Sequence, residues 1–288
     1  MALPDSLVRK LGNLGFGGIR DSHPVSGGSI NEAWRLTLAD GQALFGKVHG
    51  DPPRGFFEAE AQGLQALAAT GTIRVPEVIA VAPGYLVLEW LDGSPADDYW
   101  ACFGQQLADL HRHTRAQFGF CGDNFCGLTP QPNPATDNGY EFFAEARLMH
   151  QGRLARDSQL LDAEDIHRLE LVARRLPEWL PVQPASLIHG DLWQGNAHCG
   201  PAGEPVLVDP AAHYGWHEAE LAMTRLFGAF PKRFYQAYEA HSGCDPNWRE
   251  RADLYNLYHL LNHLILFGGG YLGSVRAILK QFGDASER

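Results

Sequence analysis

Basic residues are scarce in this 288-residue chain: Lys and Arg number 23 against 34 Asp and Glu, a formal net charge of −11. Such a balance gives no positive surface for a polyanion, so nucleic acid and anionic membranes are excluded as main partners, and any phosphate must be held by locally placed groups. Cysteine is also sparse. The five, at 102, 121, 126, 199 and 244, form no CxxC pair, and their odd number does not suit a disulfide framework. The N-terminus lacks a basic flank followed by an apolar stretch, so no secretory signal is visible, and a reducing cytoplasm is expected. Long apolar runs are missing too. The most apolar stretch, Leu254 to Phe267, carries Asn256, His259, Asn262 and His263 and reads as a buried helix, not a membrane span. Internal repeats and low-complexity segments are absent. What is there is an ordinary globular composition, 45% apolar and 20% charged, long enough for two modest domains or one large one.

The first 90 residues read as a small sheet with one helix. Ile30 to Leu38 and Ala43 to Val48 form a hairpin about Asp40-Gly41, and a helix follows from Gly55 to Ala69. Val75 to Val81 and Tyr85 to Trp90 read as two more strands around Pro83-Gly84. Beyond Asp97 helices dominate: Trp100 to Arg115, Tyr140 to Arg153, Glu164 to Trp179, Glu218 to Phe227, Pro231 to Ala240 and Asn247 to Phe267. A Gly/Pro/Asn-rich loop, Phe118 to Asn138, carries no periodicity that would place it, and a β-like island at Asn196 to Asp209 turns at Gly200 to Gly203. These textures predict a bilobal α+β protein, residues 1–91 forming a β-rich lobe and 92–288 a helical one.

Three tempting patterns fail. Gly41 to Lys47 imitates a Walker A loop, but Val48 replaces the metal-binding hydroxyl and the segment is a hairpin turn entering a strand. His217-Glu218 has Leu221 where a zincin needs its second His, and Gly12 to Gly18 lacks dinucleotide-fingerprint spacing. The strong signal is His189-Gly190-Asp191-Leu192-Trp193-Gln194-Gly195-Asn196 followed by Val206-Leu207-Val208-Asp209. In phosphotransferases of the protein-kinase type, one Asp orients the acceptor hydroxyl, an Asn five residues on holds Mg²⁺, and a second Asp beyond a short hairpin bridges the metals. Asp191, Asn196 and Asp209 have that spacing. Either a base or a structural pin would suit His189, and the pin is the better reading because Asp191 is already suited to receive the proton. Pro210 biases Asp209 towards extended backbone.

Lys47 is placed to reach nucleotide phosphates if an acid holds it. At roughly 100° per residue, Glu60 lies about 50° from the apolar stripe of its helix and Glu58 about 110°, so Glu60 is the predicted partner. Gly27, Gly28 and Ser29 precede the first strand of the hairpin and would let backbone N–H groups approach phosphate. Glu89, Trp90 and Leu91 close the small lobe, where backbone groups could meet an adenine edge; the alternative is a plain linker.

Taken together these residues resemble the kinase-like small-molecule phosphotransferases, which include aminoglycoside phosphotransferases and choline kinases. Within that group the chain is similar to the fructosamine (ketosamine) kinases along nearly its whole length. The matching stretches are Gly27 to Asn31, Phe57 to Ala61, His189 to Asn196 with Trp193, Val208 to Pro210, Leu221 to Gly228 and Tyr255 to His263. The resemblance implies an ATP- and Mg²⁺-dependent kinase that phosphorylates the third-carbon hydroxyl of a small-molecule or protein-bound ketosamine, after which the product decomposes and frees the amine. It also implies that Trp193 and His263 face the sugar, against the plain alternative that both pack in the core. Two departures stand out. Ser29 occupies a position where some family members carry a redox-sensitive Cys, and Gly46 stands where a bulky aliphatic is expected before the Lys. An aminoglycoside, choline-like alcohol or other sugar is the alternative acceptor; a nucleotide-binding pseudokinase is disfavoured by the presence of Lys47, Asp191, Asn196 and Asp209.

Overall fold

The computed structural model describes residues 3–14, 16, 18–25 and 30–284. Its N-terminal part is a five-stranded antiparallel sheet built from β1 (Ile19–Val25), β2 (Glu32–Leu38), β3 (Ala43–Val48), β4 (Val78–Ala82) and β5 (Tyr85–Glu89), in the order β1-β2-β3-β5-β4. Helix α1 (Asp5–Asn13) covers one face and α2 (Phe56–Ala68) the other. Strand alternation decides which side chain goes where. In β5, Tyr85 and Val87 join Leu7 and Leu11 of α1, whereas Leu86 and Leu88 pack with Phe57, Ala61 and Leu64 of α2. In β3, Leu44 and Val48 take the α1 side, so Phe45 and Lys47 are left facing α2. Gly46 shares the α1 side, and a Cβ there would lie 3.2 Å from Leu36 Cδ1. Leu36 of the neighbouring strand therefore fills the volume that an aliphatic at 46 would occupy.

Strand β1 and helix α1 were not expected. The strand alternates poorly in burial, and its Asp, Ser, His and Pro weaken the apolar signal. The expected strand from Val75 starts three residues late. Pro76 has no N–H to give a ladder, and Arg74 is drawn away: its carbonyl accepts from Leu207 N at 2.9 Å, in a parallel bridge to Val206.

The rest of the chain is mainly helical. Helix α3 (Tyr99–His111) stops short of the expected Arg115, because β6 (Thr114–Arg115) leaves to pair with β9 (Ala185–Ile188), which also pairs with β12 (His213–Gly215). The loop that sequence could not place folds into the hairpin β7 (Asn124–Cys126) and β8 (Thr129–Gln131). Helix α4 spans 139–157 and is π-helical over Phe142–Met149, and α5 (Ala163–Trp179) begins at a capping box of Asp162 and Asp165. The β-like island is the hairpin β10 (Ala197–Cys199) and β11 (Pro205–Leu207), closed by the turn at 200–203 as expected. Helices α6 (His217–Leu226), α7 (Lys232–Ser242), α8 (Trp248–Phe267) and α9 (Leu272–Gly283) complete the chain. Among the described residues no helix is long and apolar enough to cross a membrane.

Helices α3 and α7 pack closely because Gly104 has no side chain: a Cβ there would fall 2.3 Å from Phe234 O and 2.9 Å from Tyr238 N. Gly104→Ala is expected to lower stability by about 1–3 kcal/mol. Gly273→Ala in α9, with nothing within 4 Å, should instead raise it by about 0.4–1 kcal/mol. Urea midpoints of the two variants check this, and equal midpoints would show that α3 and α7 separate without cost.

Candidate functional site

A cleft of about 570 Å³ lies between the sheet and the helical part, and Lys47, Glu60, Asp191, Asn196 and Asp209 all reach it. Lys47 Nζ donates to Glu60 Oε1 at 2.6 Å and also to Asp209. Burial alone favours the neutral amine, yet the carboxylates of Asp209 and Glu60 more than offset it and hold the ammonium above its ordinary range. For Glu60 the balance tips the other way: burial and the Asp209 charge outweigh Lys47 and raise its carboxyl. Glu58, two residues earlier and so about 200° round the helix, does not take part in this pairing.

Asp209 lies beyond the end of β11 with φ of 57°, in the left-handed region, and not in the extended backbone expected before Pro210. A following proline pushes its predecessor towards extended backbone, so the left-handed conformation of Asp209 runs against the local preference. Aspartate is among the few non-glycine residues that enter it readily, and such a conformation persists where partners over-determine it. Lys47 is that partner here.

The loop after β9 is held by buried groups. Gly190 has φ of +85°, and a Cβ would fall 2.2 Å from Ala211 O, so only glycine fits. Glu220 of α6 accepts from His189 N at 3.1 Å and Gly190 N at 2.7 Å, and it meets His111 Nε2 at 2.8 Å. Burial would raise this carboxyl, but the His111 hydrogen bond and charge outweigh it and hold Glu220 below its ordinary range. His189 Nε2 donates to Val208 O at 2.7 Å, tying the loop to the segment that carries Asp209, while burial keeps its imidazole neutral by lowering its pKa. Asn196 Nδ2 donates to Asp191 O at 2.8 Å. Burial first, then the charge of Asp209, push the Asp191 carboxyl up to about 7.

At the outer edge, the Glu89 carboxylate pairs with Arg74, whose guanidinium also pairs with Glu204 in the β10–β11 connection. The Glu89 amide donates to Glu77 O at 2.9 Å, so its side chain and N–H both have protein partners, and the residue lines the cleft. The Trp90 ring lies tilted against Phe45 at 6.3 Å and beneath the Arg35 guanidinium at 4.9 Å, and Leu91 lines the cleft beside it. Gly27, Gly28 and Ser29 lie outside the described residues.

On the opposite side Trp193 is 38% exposed and sits over Gly195, where a Cβ would come within 2.4 Å of the indole. Phe227 meets Trp193 at 6.4 Å and His263 at 4.3 Å. Neither Trp193 nor His263 is fully buried, and both line the cleft. His263 Nδ1 donates to His259 O at 2.9 Å, and burial lowers its pKa, which leaves a neutral ring with Nε2 as an acceptor. Asn124, Phe125 and Gly127 of the β7–β8 hairpin also line the cleft, unforeseen because their loop carries no periodic pattern. Glu220 was missed as well; its signal was an acid inside a helix otherwise facing the core, at Glu218-Ala219-Glu220-Leu221-Ala222.

The fructosamine kinase family model matches residues 13–284. This chain belongs to the fructosamine kinase family. A Synechocystis protein provisionally named ketoamine kinase is 47% identical over 91% of this chain and 90% of its own length. The chloroplastic protein-ribulosamine 3-kinase of Arabidopsis thaliana is 37% identical over 90% of this chain and 81% of its own. Among solved structures, a Thermobifida fusca protein provisionally named fructosamine-3-kinase superposes with a TM-score of 0.86 at 33% identity, covering 96% of this chain and all of that one. An ADP-bound aminoglycoside phosphotransferase, 14% identical with a TM-score of 0.60, shares the kinase-like fold alone; the match covers 98% of this chain and 99% of that one.

In this fructosamine kinase, Glu220 carries a test of how the loop is held. A glutamine there offers one acceptor oxygen and two unwanted donors to three N–H groups, so Glu220→Gln should cost about 1.5–3 kcal/mol at neutral pH. The folded carboxyl is depressed, so its contribution is present above the unfolded glutamate pKa of about 4.3 and is lost as pH falls through the folded value. The gap between wild type and Glu220→Gln in urea midpoints should therefore narrow in acid; a gap that stays constant would show that the charge is immaterial.

Proposed function

We propose that the chain catalyses ATP-dependent phosphorylation of a sugar hydroxyl on a ketosamine, with Asp191 as the residue that orients and deprotonates the acceptor. The observation that supports this most is the placement of one partly buried carboxylate, Asp191, in a single cleft between a lysine-centred ion cluster and an exposed tryptophan. Residues 1–91 serve in this reading as the ATP-binding lobe and 92–288 as the acceptor lobe. Lys47, fixed by Glu60, neutralises nucleotide phosphate, and Gly27, Gly28 and Ser29 approach it with backbone N–H groups. Glu89, Trp90 and Leu91 form the edge against adenine, with Trp90 and Leu91 supplying surface and Glu89 held back by Arg74.

Mg²⁺ fits the donor set: Asn196 has its amide nitrogen engaged on Asp191 O and so offers an oxygen, and Asp209 offers a half-exposed carboxylate. Bound there, the cation would supply charge neutralisation on the transferring phosphoryl group. Asp209 carries a charge that raises Asp191, so neutralising it also removes one of the two main obstacles to an ionised Asp191. Trp193 and His263 give the sugar an aromatic face and an acceptor nitrogen. A ketosamine is favoured over an aminoglycoside because relatives at 37–47% identity carry ketoamine and ribulosamine kinase names, whereas the aminoglycoside kinase shares only 14% of its residues.

Purified enzyme with Mg-ATP should phosphorylate ribulosamines or fructosamines in preference to aminoglycosides and choline, measured as product formation across an acceptor panel. Asp191→Asn is expected to lower kcat by about 10²–10⁴. A loss of only a few-fold would remove Asp191 from the base role, and transfer to aminoglycosides alone would reverse the choice of substrate.

A further inference from the structure

Three elements that are distant in sequence meet beside the reacting carboxylate. Cys126 ends β7, Asp191 sits in the loop after β9, and His259 lies midway along α8; a sulfur, a carboxylate oxygen and an imidazole nitrogen lie within 4.8 Å of one another. Asp191 Oδ1 and His259 Nδ1 are both buried, both lack a hydrogen-bond partner, and face each other at 3.9 Å. That separation is too long for a hydrogen bond. His259 is only 5% exposed, and an orphaned buried polar atom costs on the order of 1–3 kcal/mol, so the pair calls for a third participant. The sulfur is prepared in a different way. Asn262 Nδ2 donates to Cys126 Sγ at 3.2 Å, while the Tyr258 hydroxyl gives its proton to Gln131 Oε1. Burial and the Asp191 charge hold the Cys126 thiol well above its ordinary range, so it stays protonated until a cation offsets both, and the Asn262 donor then resembles the outer partners of metal-bound cysteines.

One sulfur, one imidazole and one carboxylate, with the remaining side open through Asp191 to the cleft, match Zn²⁺ sites that keep a fourth position for solvent. Mg²⁺ selects oxygens and would not choose this set over Asn196 and Asp209. The buried Arg147 guanidinium, whose charge acts on Cys126 and His259, opposes any cation, but a thiolate and a carboxylate together balance the two charges of zinc.

We infer that Cys126, Asp191 and His259 form a Zn²⁺ site whose occupation inhibits the enzyme by withdrawing Asp191 from the acceptor hydroxyl. Coordination replaces the thiol proton by the metal, and that proton leaves to solvent. The inhibitory half of the inference rests on the role proposed above for Asp191; the binding half does not.

The test uses the full-length, metal-free enzyme and Co²⁺ as the probe. Titration should give thiolate-to-cobalt charge-transfer absorption that saturates at a single equivalent and is abolished by added Zn²⁺. Cys126→Ser should lack the band, and His259→Asn should weaken cobalt binding by about tenfold or more. In parallel, the zinc inhibition constant, measured under excess Mg-ATP relative to each variant's own zinc-free rate, should rise by about tenfold or more in both. No band in the wild type, or a band that persists in Cys126→Ser, overturns the site. If Cys126→Ser does not fold by circular dichroism, unchanged cobalt affinity in His259→Asn has the same force. Zinc inhibition equal in wild type and variants would place the metal on Asn196 and Asp209 and sink the inhibitory half. A cobalt band together with an Asp191→Asn variant of undiminished activity would refute the proposed base and leave the metal site standing.

Discussion

An ammonium group cannot remain buried without anions, and the whole cleft is arranged around that requirement at Lys47. Removing the charge from water costs several kcal/mol, so the fold must deliver carboxylates with good geometry or lose the charge. It delivers two from opposite directions: Glu60 from α2, which is packed on the same sheet, and Asp209 from beyond the β10–β11 hairpin. The first pair is internal to the N-terminal part. The second spans the cleft, so the ion cluster is also a tie between lobes, and it holds Asp209 in a left-handed backbone that would otherwise be unfavourable.

A second tie runs outside the first. Arg74 bonds Glu89 at the end of β5 and Glu204 beside β11, while its own carbonyl takes the Leu207 amide. The hairpin carrying Asp209 is thereby fixed at both its turn and its second strand. Inside the helical lobe, Glu220 and His189 do for the Asp191 loop what Lys47 does for Asp209: one gathers loop amides onto a buried carboxylate, the other bonds Val208 O. Asp191 and Asp209 consequently sit on backbones that are mutually referenced, which phosphoryl transfer needs because its catalysis is mostly positioning and charge stabilisation.

Much of this was legible in the residues. Spacing within His189 to Asn196 and onward to Asp209 identified the loop, and helix phase separated Glu60 from Glu58, since both depend on local geometry that sequence encodes directly. The features that escaped are those set by distant contacts. Strand β1 owes its place to pairing along β2 and not to an apolar pattern of its own, and the β7–β8 hairpin is held by buried Asn124, Gln131 and Asn133 bonding one another and the carbonyls of Ala211 and Ala212. Polar networks of that kind look like loop in a one-dimensional reading. The extended backbone expected at Asp209 failed for a related reason: the preference of a residue before proline is local, and Asp209 departs from it where it meets a lysine 162 positions away.

The two sides of the cleft differ in kind. On the side proposed for phosphate, Lys47 is a buried ion satisfied by Glu60 and by the half-exposed Asp209, and altering any one leaves a partner stranded; such a surface resists change. On the acceptor side Trp193 and Phe267 remain 38% and 52% exposed, and Phe227, His263 and Tyr271 add rings that meet at 4.3 to 6.5 Å. Leaving that much aromatic surface in water contributes nothing to folding, since burial is what stabilises. Under the proposed function a ligand covers this surface, and a sugar bearing an amine substituent, with apolar ring faces and hydroxyl edges, suits rings on one side and the His263 nitrogen on the other. If the proposed roles hold, those rings, which have no ion partners to strand, form the side of the fold on which acceptor preference changes without disturbing the ion cluster around Lys47.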